Sequence, residues 1–212
     1  MSPRLLLYGA GGHGKVVADA AEKAGCFELA GFVDDKPLTE FFGLPVLGDA
    51  EALSGVRHSG VEYAVSCVGD NEIREMLDET LLEAGFSFAT VIHPSAQVAR
   101  ETVIGEGTVV MPGAIVGPGT VLGRSCVVNT SASIDHDCRL GNYVHVAPGA
   151  SICGGVRIGS HSLVGVGASI LPNIKIGPGA IVAGGATVTS DVPDDATVAG
   201  TPARAIQKGP LR

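Results

Sequence analysis

Two hydrophobic rhythms divide the chain. In the first part, short apolar runs alternate with helical spacing: Arg4–Tyr8, Leu29–Val33 and Val61–Val68 read as strands, Lys15–Ala24 and Asn71–Ala84 as helices, and Phe86–Ile92 as the closing strand. Strands alternating with helices predict an α/β domain over residues 1–92 with a short parallel sheet, a Rossmann-like half.

After His93-Pro94 the rhythm becomes strict. Stepping by six from Val98 to Val188 meets sixteen residues, and every one is Val, Ile or Leu. Four residues after each comes a second set, beginning Thr102, Thr108, Ala114, Thr120, Cys126, Ala132 and Cys138, all small or β-branched. A repeat this short cannot bury its apolar face alone, so copies must stack. Three hexads close one triangular coil of 18 residues, which predicts a parallel β-helix of a little over five coils across residues 93–196 and a cap or tail over 197–212. Cys126 and Cys138 fall on inward small positions and read as packing.

Composition agrees with this division: all six Phe precede residue 89, and Tyr143 is the one aromatic after it. A net charge of −8 argues against nucleic acid, so an anionic ligand must be met by local donors. No apolar run approaches a membrane span, and the one at the start is short for a signal peptide. Five cysteines, none in a C-x-x-C pair, suit a reducing compartment. Together these predict a cytoplasmic protein without membrane insertion.

Three segments carry candidate chemistry. Gly9-Ala10-Gly11-Gly12-His13-Gly14 follows a predicted strand and opens a predicted helix, where glycines and a helix N-terminus favour a phosphate. Asp34 and Asp35 end the second strand, where a carboxylate commonly accepts from ribose hydroxyls. The domain is too short for a dinucleotide, so the run reads as a nucleotide-sugar cradle or else as an unliganded Gly-rich turn. In the second segment His136 stands between Asp135 and Asp137, two residues beyond the inward Ile134. An outward imidazole beside carboxylates suits a general base near neutral pH. His145 is half a coil away, on another face, so cooperation with His136 would require subunits to meet. His136, His145 and His161 have no close-pair spacing, and no metal is expected. The third segment, Ala183–Ala186 with Val198–Arg204, offers small residues against which a slender ligand could lie, and late cations Arg204, Lys208 and Arg212; a capping strand is the alternative reading.

With these residues in hand, the sequence resembles the hexapeptide-repeat sugar acetyltransferases of the NeuD/PglD type, in particular the branch acting on UDP-4-amino sugars in bacillosamine synthesis. YGAGGHGKVV, FVDD, VGDNEIR, VNTSASIDHDC, HVAPGA, GGVRIG, ILPN, GGATV and AGTPAR carry the likeness. The resemblance implies a left-handed hand for the β-helix and a homotrimer binding acetyl-CoA between adjacent subunits. It implies His136 as base with Asp137 as its polarising partner. His145 and the Gly154 amide would contact the thioester carbonyl, with Gly184 along the pantetheine; Arg204, read from the residues as a late cation, is expected to meet the coenzyme's phosphates. Gly11, Gly12, His13, Gly14, Asp34 and Asp35 would hold the nucleotide, and Asn129 would place the sugar. The expected activity is N-acetylation of a nucleotide-linked 4-amino-4,6-dideoxy sugar. O-acetylation of a sialic acid or other sugar hydroxyl is the alternative, and a non-catalytic nucleotide-sugar scaffold a third.

Overall fold

A computed structural model of the chain describes residues 2–206, in two compact units divided between Pro94 and Ser95. Lys208 and Arg212 lie outside the described residues.

In the first unit β1 (Arg4–Tyr8), β2 (Glu28–Val33), β5 (Tyr63–Ser66) and β6 (Ser87–Phe88) form a parallel sheet in the order β2-β1-β5-β6. Leu5, Leu6 and Leu7 of the central β1 are all fully buried, as expected of a parallel strand covered on both faces. Helix α1 (Gly12–Ala24) ends at Gly25, whose left-handed backbone (φ 68°) lets its N–H reach the carbonyls of Ala21 and Glu22. Helix α3 (Asn71–Glu83) starts at Asp70, whose carboxylate accepts from the Ile73 N–H at 3.0 Å. Between β2 and β5 the chain adds a hairpin, β3 (Glu40–Phe41) with β4 (Leu44–Pro45), and a short helix α2 (Leu53–His58), none of which the hydrophobic pattern predicted. The hairpin lies close to β2: a side chain on Gly31 would meet the Pro45 carbonyl at 2.5 Å. Phe41 packs edge-on to Phe32, with ring centroids 5.2 Å apart.

The second unit is the expected solenoid. Residues 18 apart pair in parallel, as in Val109↔Val127, Ile115↔Ser133 and Val121↔Arg139. Two-residue strands stack into three sheets. Sheet I contains the strands ending at Val98, Val116, Ile134, Ile152, Ile170 and Val188, sheet II those ending at Ile104, Leu122, Leu140, Ile158 and Ile176, and sheet III includes those ending at Val128, Val146, Val164 and Val182. The inward aliphatic positions from Val110 to Val188 are all buried, whereas Val98, in the first coil, is 39% exposed. Buried hydroxyls of the second set are satisfied across the stack: Thr108, Thr120 and Ser162 donate to the carbonyls of Gly123, Asp135 and Gly177 at 2.8–2.9 Å. Cys138 is fully buried and its Sγ–H points at the Cys153 carbonyl, 3.2 Å away; burial pushes its thiol pKa up, which suits packing rather than nucleophilic attack.

Glycine serves the corners in two ways. The third residue after each inward position is left-handed at fifteen successive corners from Glu101 to Gly185, with φ between 50° and 72°. A second class follows the inward residue of every sheet II strand, at Gly105, Gly123, Gly141, Gly159 and Gly177, where an added Cβ would collide with the next coil, 2.5 Å from the Gly123 backbone in the case of Gly105. After the chain's last coil, strand Thr197–Ala199 turns back antiparallel onto Arg204–Ile206, a capping hairpin. No described helix is long and apolar enough to cross a membrane.

Candidate active site

The corner that follows sheet I stacks Gly117-Pro118-Gly119, Asp135-His136-Asp137, Cys153-Gly154-Gly155 and Leu171-Pro172-Asn173 at 18-residue steps. Asp137 occupies the left-handed corner position (φ 59°), a conformation Asp tolerates better than most side chains. From there its Oδ2 lies 2.8 Å from His136 Nδ1. Room for that carboxylate comes from Gly119, one coil earlier, where a Cβ would meet Asp137 Oδ1 at 2.7 Å. Asp135 fixes the other side by accepting from the His136 backbone N–H at 2.8 Å.

The carboxylate fixes the tautomer, with the proton on Nδ1 and Nε2 left as the basic nitrogen. Nε2 hangs over Gly154, where a Cβ would meet it at 2.5 Å. Gly154 is buried, its carbonyl accepts from the Asn173 N–H at 3.0 Å, and its own N–H donates to no group among the described residues. A base nitrogen and an uncommitted backbone donor thus adjoin one open cleft of about 330 Å³, lined also by Cys153, Gly155, Pro172 and Asn173. The imidazole is 57% exposed in the single chain. Its pKa is raised above the ordinary 6.5, first by the Asp137 hydrogen bond and then by the Asp135 charge, against a smaller opposing effect of desolvation.

Asn129 and His145 meet elsewhere, on sheet III. Asn129 Oδ1 accepts from the Thr130 N–H at 2.8 Å, which turns Nδ2 toward His145 Nε2 at 3.2 Å. The same chain therefore presents His136, Asp137 and Gly154 at one corner and Asn129 with His145 on a different sheet. Gly184 and Arg204 are both exposed, and Arg204 Nη1 donates to the Ala203 carbonyl at 2.8 Å.

The Gly-rich run of the first unit sits at the C-terminal end of β1, where open parallel sheets bind ligands. Gly9 (φ 117°) is required by conformation, and Gly14 by packing, because a Cβ there would strike the Gly9 carbonyl and the Phe32 ring. Neither reason applies to Gly11 or Gly12, which have open space within 4 Å of a built Cβ and no positive φ. Gly11 is the N-cap of α1, a place that favours glycine, and Gly12 opens the helix. Asp34 accepts from the Ala10 N–H (2.6 Å) and the Lys36 N–H (2.9 Å), so it orders the loop as well as bordering it, while Asp35 is exposed. His13 is half-buried in the first turn of α1. Sequence reasoning missed Arg74, 1% exposed, whose guanidinium donates to the carbonyls of Val68, Gly69 and Asp70 and to Asn71 Oδ1, and so pins the loop after β5. That loop borders the Gly run, since a Cβ on Gly9 would lie 3.1 Å from the Cys67 carbonyl.

The family described as PglD N-terminal domain matches residues 4–81, and the bacterial transferase hexapeptide family (six repeats) matches residues 155–190. The acetyltransferase domain of PglB from Neisseria gonorrhoeae, solved with acetyl coenzyme A, is 39% identical, with a TM-score of 0.92 over 97% of this chain and 100% of that one. PerB from Caulobacter crescentus, solved with CoA and GDP-perosamine, is 37% identical, with a TM-score of 0.93 over 96% and 97%. The UDP-N-acetylbacillosamine N-acetyltransferase of Bacillus subtilis is 39% identical over 104 residues, a match spanning about half (48%) of either protein. With the solenoid, the Gly-rich α/β unit and near-complete coverage of two solved relatives, the chain belongs to the family of PglD-type hexapeptide-repeat sugar N-acetyltransferases.

Proposed function

We propose that the protein transfers the acetyl group of acetyl-CoA to the amine of a UDP-linked 4-amino-4,6-dideoxy sugar. The observation that carries this reading is the pairing of a carboxylate-oriented imidazole with the uncommitted Gly154 N–H at one cleft. His136 Nε2 takes a proton from the amine as its nitrogen bonds to the thioester carbon. The Gly154 N–H donates to the oxygen that becomes negative, an interaction worth about 3–4 kcal/mol in comparable sites. His136 then returns the proton to the departing sulfur, so the products are the amide and the free thiol. Asp137 holds the tautomer and stabilises the imidazolium, and no cysteine is acylated.

The Gly-rich run would hold the nucleotide phosphates through Gly11, Gly12, His13 and Gly14, with Asp34 shaping the loop and Asp35 accepting from ribose. Gly184 and Arg204 would border the coenzyme. Because His145 and Asn129 lie on a different sheet from His136, the full site needs a neighbouring subunit to supply them, which supports a homotrimer with sites between subunits. Five free cysteines suit work in the reducing cytoplasm.

A free-thiol release assay with acetyl-CoA against UDP-, GDP- and dTDP-linked 4-amino sugars and sialic acid tests the reading. Turnover is expected with the UDP-linked amine. Turnover with sialic acid alone would replace the reading with O-acetylation, and release with no acceptor would end it.

Three further outcomes follow from the geometry and charge of the site. A base works unprotonated, so activity falls as pH drops through the His136 pKa, and the acid limb of kcat/KM is expected above pH 6.5. Asp137→Asn keeps a residue that tolerates the left-handed corner but removes the charge. Its limb is expected to move to lower pH and its plateau to drop; an unmoved limb would deny Asp137 its role. Gly11→Ala meets neither strain nor neighbours, so its Tm should stay within about 2–4 °C of wild type. Calorimetric titration of the same variant should show UDP binding weakened at least about tenfold, and unchanged binding would remove the phosphate role of the run.

A further inference from the structure

Sheet II carries a charge pattern that neither the fold nor the proposed chemistry requires. Its outward strand positions read Val103, Val121, Arg139, Arg157 and Lys175, and the last three are paired in register, Arg139↔Arg157↔Lys175, on consecutive coils. All three are exposed. The outward strand positions of the other two sheets of the solenoid carry no Lys or Arg from Gln97 to Thr187. Residues 95–206 contain six Lys and Arg in all, so half of the solenoid's cations stand in one column of a chain whose net charge is −8. Like charges facing one another across adjacent strands destabilise a sheet. Neither of the ion pairs Lys23–Asp19 and His136–Asp137 involves the column, and no carboxylate among the described residues lies in salt-bridge contact with Arg139, Arg157 or Lys175. The acids nearest in the chain are otherwise engaged: Asp137 with His136, Asp135 with the His136 amide, and Asp191, whose Oδ1 accepts from the Lys175 backbone N–H at 2.8 Å.

The column also has a definite place. Arg139, Arg157 and Lys175 each follow, two to four residues on, the three corner segments that line the His136 cleft. With strands about 4.8 Å apart, the three cations span about 10 Å. That is the scale of a ligand carrying two or more phosphates.

We infer that Arg139, Arg157 and Lys175 form a phosphate-binding ladder that anchors the phosphorylated end of a substrate whose other end reaches His136. The shared chemistry is a phosphate ester or diphosphate. Its source is the 3′-phosphorylated ADP end of coenzyme A, which rests on the acetyl-CoA reading above; the nucleotide diphosphate belongs to the Gly-rich run in that reading. Long flexible cations on a flat sheet bind by charge-assisted hydrogen bonds, each worth about tenfold in affinity.

The test is calorimetric titration of the full chain with CoA, dephospho-CoA and UDP, for wild type, an Arg157→Ala/Lys175→Ala double variant, Arg157→Lys, and Arg100→Ala as a control outside the ladder. The double variant is expected to bind CoA at least about tenfold more weakly and with a smaller salt dependence, Arg157→Lys to stay close to wild type, and Arg100→Ala to match wild type. Weakened CoA with unchanged dephospho-CoA identifies the 3′-phosphate, and equal weakening of both the coenzyme's own diphosphate, while UDP binding stays at the wild-type level. Wild-type affinity of the double variant for CoA, a loss confined to UDP, or a loss equalled by Arg100→Ala would overturn the ladder. The outcome is separable from the proposed reaction: lost affinity in a protein that acetylates nothing would keep the ladder and discard the acetyl transfer.

Discussion

His136→Ala is expected to lower kcat by about two to four orders of magnitude while leaving the KM for acetyl-CoA within a few-fold of wild type, the range for loss of a positioned general base. The imidazole is more than half exposed, so the variant should fold normally and the loss should read as chemistry. Steady-state thiol release at several pH values checks it, because the variant should also lose the acid limb assigned to His136. A variant that kept near-wild-type kcat would show that the His136–Asp137 pair, however well formed, is not the base.

Gly154→Ala is expected to cost about 10²-fold in kcat/KM with little change in stability. The backbone at Gly154 is not left-handed, so alanine is conformationally permitted, unlike at the adjacent Gly155 (φ 72°). What alanine meets is the His136 ring, with Nε2 and Cε1 2.5 and 2.6 Å from the new Cβ. Contact that close must swing the imidazole away from its carboxylate or from the acceptor, and displacement of about 1 Å is worth about 10²-fold in a site that depends on position. The two substitutions should also be strongly non-additive. Once His136 is alanine no ring remains to be displaced, and the second change should add little. Full additivity in the double variant would mean that Gly154 acts by a route that does not involve His136.

The solenoid was legible because its rule is simple: the bore admits one aliphatic and one small or β-branched residue per hexad, and the chain obeys from Val98 onward. Handedness was not, since a hydrophobic period is the same in either hand. Glycine was read correctly as a corner residue, but two causes were merged. The left-handed corners accept Asp137, Tyr143 or Asn173 as well as glycine, whereas the sheet II column Gly105 to Gly177 is forced by the closeness of the next coil. The hairpin Glu40–Pro45 escaped because strands of two residues leave no measurable alternation. Arg74 could have been found: it shares a helical face with Asp78 and Leu81, all buried, and an arginine on the inward face of a helix must have something to hold. The cation ladder has the 18-residue step of the coil itself, and was passed over because the period was sought among apolar residues alone.

The His136–Asp137 pair was visible as neighbours in sequence, yet its arrangement depends on residues one coil away in each direction. Gly119 makes room for the carboxylate and Gly154 for the ring. Spacing alone could not reveal that, because the contact is made by the absence of side chains.

The central claim is that acetyl passes directly from coenzyme A to a sugar amine at the His136 corner. Mass spectrometry of a single-turnover reaction with acetyl-CoA and a UDP-linked 4-amino sugar tests it most directly. The expected result is one acetyl group on the sugar nitrogen, stable to hydroxylamine, formed at the rate of thiol release and nearly abolished by His136→Ala, with no acetylated protein at any time. An acetyl-enzyme, a hydroxylamine-labile sugar ester, or product formed equally well without His136 would contradict it.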